Sequence, residues 1–246
     1  MSHTGIGTGC SIFPAWWVHN RSTLVNGLVS YWTLNESSDG SAPITRSDSV
    51  GANHLTDNNT VSSTAGVAGN AATCVLGNLE YFSKASFPAW STTAITVSMW
   101  VRVDVLPGAN KAIFLLNPDF GTHGNPTTFE TGTSVNKPRV FVGNGTGLFQ
   151  ATYATDIDTA WHMWTTWYDD AGDRKARIQI DNGAVVASTA LTGTWANSGG
   201  VLGINRTPPN SYMTATYDEI GLWNRALTTV EIAELWAAGA GKFYPF

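Results

Sequence analysis

Residues 95–104 read Ile95-Thr-Val-Ser-Met-Trp-Val-Arg-Val-Asp104. Ile95, Val97, Met99, Val101 and Val103 alternate with Thr96, Ser98, Trp100, Arg102 and Asp104. Successive side chains of a strand point to opposite faces, so this run is a strand with one apolar face and one mostly polar face. An apolar sheet face must be covered by another layer, and the rest of the chain offers mostly more strands.

Working outward, Leu28, Ser30, Trp32 and Leu34 alternate in the same way with Val29, Tyr31 and Thr33. Further strands are expected at 72–76, 79–83, 111–117, 138–143, 148–153, 161–168, 175–181, 184–190, 200–204 and 214–223. Pro107-Gly108, Asn144-Gly145 and Asn182-Gly183 supply turns between them. Asn182-Gly183 lies between Ile178/Ile180 and Val185/Val186 and reads as a two-residue hairpin of the primed type, whose central residues both need positive φ. One helix is expected near the end. Thr228 is a good N-cap, Glu231 completes a capping box, and Leu227 can staple onto Ile232. Ile232, Leu235 and Trp236 then share a face, and Gly239 ends the helix. The expectation is an all-β, antiparallel sandwich with one short C-terminal helix.

A chain of 246 residues is near the upper size for one core. Only 13 Lys and Arg stand against 18 Asp and Glu, with no run of like charge, which argues against nucleic acid as a partner. Nowhere do 18 apolar residues run together, so no membrane insertion is expected. The first residues lack the charged, apolar and small-residue regions of a secretory leader. Cys10 and Cys74 have no metal-ligand spacing and are expected as free thiols, although sequence alone does not exclude a disulfide. Residues 1–26 read as an arm, with Ile12, Phe13, Trp16 and Trp17 on an irregular segment. Four such side chains gain roughly 1.5–3 kcal/mol each on burial, so the arm should dock, either on its own sandwich or on a neighbouring subunit.

Several segments now form a series. Gly27-Leu-Val-Ser-Tyr-Trp-Thr-Leu34, Asp48-Ser-Val-Gly-Ala-Asn53-His-Leu-Thr56, Ile95-Thr-Val-Ser-Met-Trp-Val101, Trp161-His162, Ile180-Asp-Asn-Gly183 and Asp218-Glu-Ile-Gly-Leu-Trp-Asn-Arg-Ala-Leu227 occur in that order. Over residues 27–240 the chain resembles the laminin-G-like branch of the concanavalin-A-like lectin/glucanase superfamily. The resemblance implies a jelly roll of two curved sheets, one often carrying a concave groove. The closing Ala238-Gly-Ala-Gly-Lys-Phe-Tyr-Pro-Phe246 also resembles the tails of such domains in bacteriophage virion proteins.

Glucanases of that superfamily carry paired carboxylates about 5–5.5 Å apart, set two positions apart on a strand. Here the nearest pair, Asp218 and Glu219, is adjacent and is expected to point to opposite faces, and Glu231 and Glu234 belong to the helix. No catalytic residue is assigned. There is no nucleophile elbow, His-Glu-x-x-His or P-loop. His162, between Trp161 and Met163, is expected to be a satisfied or half-exposed histidine. Relatives hold Ca²⁺ at one rim, and Asp48, Asn53 and Asp218 match the positions that would supply oxygens; alternatively Asp48 and Asn53 only shape a turn. For a sugar, Trp90, Phe120, Trp195 and Tyr212 offer flat faces beside amides such as Asn205, unless these rings close the ends of the core.

Three functions are therefore expected in order. The first is a non-catalytic virion surface protein, a capsid decoration or tail-associated component, held to other virion proteins or copies of itself through the arm and touching cell-surface glycans. The second is a free, secreted carbohydrate-binding module. The third is a glycoside hydrolase.

Overall fold

The structure is a computed structural model that describes residues 22–88, 93–106, 111–116, 128–131, 136–195, 200–206 and 212–246. In chain order the strands are β1 (Leu28–Trp32), β2 (Thr45–Arg46), β3 (Leu55–Asn58), β4 (Ser62–Ala65), β5 (Asn70–Cys74), β6 (Tyr81–Phe87), β7 (Ala94–Val103) and β8 (Lys111–Leu116). They continue with β9 (Thr128–Thr131), β10 (Pro138–Gly143), β11 (Leu148–Thr152), β12 (Trp161–Asp169), β13 (Arg177–Ile180), β14 (Val186–Ala187), β15 (Gly200–Ile204) and β16 (Ala215–Trp223), before α1 (Thr229–Trp236), the one α-helix among the described residues. Sheet I runs β14-β13-β12-β7-β16-β5-β4, with β1 also on β16, and sheet II runs β11-β10-β9-β8-β15-β6-β3-β2. All these pairings are antiparallel.

The apolar face of β7 does what its period requires. Val97, Met99 and Val101 are buried between the sheets against side chains such as Phe82, Phe114, Val140 and Leu202 of sheet II. The other face of β7 departs from expectation. It is buried too, because α1 and the closing segment lie on it: Trp100, Met163, Trp167 and Trp223 form a second apolar cluster with Leu24, Leu227, Ile232 and Leu235. Trp236 stacks on Trp100 with ring centroids 5.3 Å apart, and Tyr244 and Phe246 each lie 5.6 Å from Tyr31.

The expected capping box forms. The Glu231 N–H donates to the Thr228 hydroxyl oxygen, and the Thr228 N–H donates to the Glu231 carboxylate at 2.9 Å. The same carboxylate takes two bonds from the Arg225 guanidinium, which above all holds its pKa down to about 2. The helix ends earlier than Gly239 suggests, at Ala237 in the left-handed region. Ser22–Asn26 pack on the sandwich: Leu24 is fully buried and its carbonyl accepts from the Trp223 indole at 2.7 Å. Ile12, Phe13, Trp16, Trp17 and Cys10 lie outside the described residues, whereas Cys74 is a buried free thiol.

Candidate functional site

At one rim the edge strand β11 of sheet II lies beside β13 and β14 of sheet I. Residues 153–160 cross this rim from β11 to β12. Backbone bonds pin that loop, from the Tyr153 N–H to the Pro138 carbonyl at 2.7 Å and from the Ile157 N–H to the Asn136 carbonyl at 2.8 Å. Opposite it stands the turn after β13. The Gly183 N–H donates to the Ile180 carbonyl at 2.8 Å, while Asp181 and Asn182 have φ of 52° and 58°. A turn with two positive-φ residues therefore forms, but on Asp181-Asn182, one residue before the expected Asn182-Gly183, and the expected two-residue hairpin does not form, because strand pairing ends at Ile178 opposite Val186. Asp181 and Asn182 are among the few side chains that accept this backbone. Gly183 answers a different need, since a Cβ there would sit 2.6 Å from the Tyr153 hydroxyl.

Loop and turn enclose a cleft of about 260 Å³. Tyr153, Thr155 and Asp156 line it from the loop, His162 from β12, and Asp181 and Gly183 from the turn, with Ile157 and Ile180 adding apolar surface. His162 is clasped between two carboxylates. Its Nδ1 bonds Asp181 Oδ2 and its Nε2 lies 3.0 Å from Asp158 Oδ1. The Asp181 bond is the main cause that raises the imidazole pKa to about 9, against the opposing effect of burial. His162 is thus an imidazolium at neutral pH, with both N–H groups already used. Asp181 spends its other oxygen on the Met163 N–H at 2.7 Å. This is the satisfied histidine that the sequence suggested.

A second group of carboxylates contradicts the expectation for Asp218 and Glu219. Tyr217 and Ile220 both face the main core although they are an odd three positions apart, and the β16–β7 register slips between Asp218 and Gly221. One extra residue has been inserted, with Glu219 at φ 49°. Simple alternation therefore fails, and both carboxyls leave the core face of sheet I on the same side. The insertion falls where the edge of β16 passes from β5 to β1. Asp218 Oδ2 accepts from the Val67 and Ala68 N–H groups of the β4–β5 turn at 2.8 and 3.1 Å. Asp218 Oδ1 and Glu219 Oε2 are buried without a hydrogen-bond partner. Burial first of all raises Asp218 to about 7 and Glu219 to about 8, the Asp218 charge adding to the latter. Asp218 is fully buried, and Glu219 shares a void of only about 10 Å³ with Tyr31, Trp100 and Lys242, which leaves no room for a sugar beside it.

The remaining expected residues are placed as follows. Asp48 Oδ1 accepts from the Tyr31 and Val50 N–H groups, both at 3.0 Å, and its Oδ2 from the Asn53 N–H at 3.1 Å. Asp48 and Asn53 thus shape one turn, which is the alternative to metal binding, while Asp218 serves a different one. Among the described residues no three His, Cys, Asp or Glu side chains gather as a metal site. Trp195 is buried against Tyr168 at 4.8 Å, and Tyr212 is buried beside Tyr81 at 5.9 Å. Asn205 is fully buried, donating to the Glu80 and Met213 carbonyls and accepting from the Tyr217 hydroxyl. These three close the ends of the core instead of facing a sugar. Trp90 and Phe120 lie outside the described residues. The cleft residues Tyr153, Thr155, Asp156 and Asp181 were not singled out from sequence; the one signal was Asp181 inside the Ile180–Gly183 segment, opposite the acidic stretch Asp156-Ile-Asp158.

Residues 76–233 match the family Laminin_G_3, described as the concanavalin A-like lectin/glucanases superfamily. No curated protein matches the chain. Among solved structures, domain 4 of the extracellular GH43 arabinanase AbnA from Geobacillus stearothermophilus, in complex with arabinotriose, has a TM-score of 0.64 at 14% identity. The match covers 87% of this chain and 98% of that one. A botulinum neurotoxin type C structure, described as entering cells through two ganglioside molecules, gives 0.64 at 12% identity over 88% of this chain and 52% of that one. A Trypanosoma rangeli sialidase gives 0.58 at 14% identity over 88% and 33%. The chain thus spans the arabinanase domain but about half of the toxin chain and a third of the sialidase. At such identities the likeness is one of fold.

Proposed function

Because the chain belongs to the concanavalin-A-like lectin/glucanase superfamily, we propose that it is a non-catalytic glycan-binding domain that holds the end of a sugar chain in the rim cleft. The observation that carries this reading is the cleft itself. It sets one aromatic ring, Tyr153, beside a hydroxyl and carboxylates on a loop that backbone bonds already fix. A pyranose needs an apolar face to stack on and polar groups for its hydroxyls. The structural neighbours include an arabinanase domain with a bound arabinose oligosaccharide and a ganglioside-dependent toxin. Against hydrolysis, Asp158 and Asp181 are both committed to His162, Asp218 is fully buried against the β4–β5 turn, and Glu219 shares only a small void with Lys242 of the closing segment. Binding to a glycan array that is lost in Tyr153→Ala and in Asp156→Ala supports the reading. Hydrolysis of a bound glycan, or binding that neither variant changes, refutes it.

For the setting of the domain we propose a bacteriophage particle, as a capsid decoration or tail-associated component. This rests on Ile12, Phe13, Trp16 and Trp17 near the start and on the resemblance of the closing segment to virion proteins. Deleting residues 1–21 leaves the docked Leu24 in place and should convert an oligomer to a monomer by size exclusion. A chain that is monomeric with and without them is instead a free module.

A further inference from the structure

The cleft carries an unequal set of charges. Asp156 and Asp181 line it, and Asp158 stands behind His162. Among the described residues that line it, His162 is the one cation. Its charge is not on offer, because each ring nitrogen faces a carboxylate. An arriving carboxylate would meet Asp156 and Asp181 with no free N–H of a cation to receive it. Placing like charges together across an interface weakens binding unless a counter-charge intervenes. Sugar hydroxyls face no such penalty, since a hydroxyl donates readily to a carboxylate and such charge-assisted bonds are the stronger kind.

We infer that the cleft selects an uncharged terminal sugar and excludes one bearing a carboxylate, such as a sialic acid. This rests on the reading of the cleft as the glycan site and deepens it. Near neutral pH the imidazolium, whose proton is held to about pH 9, offsets only one of the three carboxylates Asp156, Asp158 and Asp181, so the cleft stays net negative. The volume, about 260 Å³, falls just under the roughly 300–1,000 Å³ of pockets for drug-sized ligands, so one end of a glycan fits and a long run of sugars does not. Asp156 is the residue that sets the selectivity most openly. It is exposed, lies on the loop and has no part in the His162 clasp.

The test uses pairs of array glycans that share a core and differ only in a terminal sialic acid. The wild-type chain should retain the neutral member, and the sialylated one should bind about tenfold more weakly or not at all. Asp156→Arg reverses one charge at an exposed position and should raise binding of the sialylated member relative to the neutral one. Equal or tighter wild-type binding of the sialylated member, abolished by Tyr153→Ala, overturns the charge argument while keeping the site. No binding of either member, or binding indifferent to Tyr153→Ala, removes the site reading and this inference with it.

Discussion

Substituting Glu219 by Gln should stabilise the protein at neutral pH and leave it unchanged in acid. Burial raises the Glu219 carboxyl from its ordinary 4.5 to about 8. Between those values the folded chain holds a proton that the unfolded chain has released. Unfolding therefore releases a proton, and stability falls as pH rises through this window, levelling off above about 8. The slope is about 1.4 kcal/mol per pH unit, so at pH 7 the group costs about 3 kcal/mol relative to pH 4.5. A Gln amide is a neutral stand-in of the same shape whose oxygen can still accept from the Tyr31 hydroxyl that bonds Glu219. Urea unfolding of both proteins at pH 4.5 and 7 should show a variant about 3 kcal/mol more stable at pH 7, with equal slopes, and no difference at pH 4.5. For a chain of this size that corresponds to a Tm higher by roughly 6–12 °C. A variant no more stable than wild type at pH 7, or a gain that persists at pH 4.5, would refute the buried carboxyl with its unpaired Oε2 and the strand insertion that puts it there.

Other outcomes follow from the same geometry. The His162 pKa is raised on folding to about 9, so its contribution is complete below about 6.5 and lost as pH climbs through 9. His162→Gln should accordingly lose about 1–2 kcal/mol at pH 6, discounted because Asp158 is solvent-exposed, and almost nothing at pH 10. Arg46 and Asp57 are both fully buried and joined by two bonds of 2.9 Å, so Arg46→Met should cost about 3–5 kcal/mol by chemical unfolding while Arg46→Met/Asp57→Leu recovers most of it. Gly183→Ala drives a methyl against the Tyr153 hydroxyl and should weaken glycan binding on the array with a Tm within a few degrees of wild type. Adding a calcium chelator should leave the Tm unchanged, because the Asp48 oxygens are filled by backbone N–H groups; a drop of several degrees would restore the metal site.

The layered β architecture was legible because it follows from side-chain period, and β7, β12 and β16 are long enough to display one. The strands that escaped notice are β2, β3, β4 and β9. They are two to four residues long, and Ser62–Ala65 has no buried residue to mark a face. The capping box was readable since it depends only on local chemistry. The insertion at Asp218-Glu219 was not: whether an extra residue bulges is decided by the partners of β16 on both sides, which sequence spacing does not specify. Of the four aromatic candidates, the two that the structure describes were misjudged for a related reason. Trp195 and Tyr212 occupy loops, and a loop ring that caps the core looks the same in sequence as one that faces solvent. The cleft that did form draws on three segments, at 153–157, 162 and 180–183, and only the tertiary fold brings them together.

The clasp on His162 ties the crossing loop to the hairpin before any ligand arrives. A recognition surface already frozen in its bound shape surrenders little conformational freedom when occupied, and that saving shows as affinity. Cutting the clasp at Asp158, outside the cleft itself, should therefore speed dissociation of a captured sugar even though no atom touching it has changed.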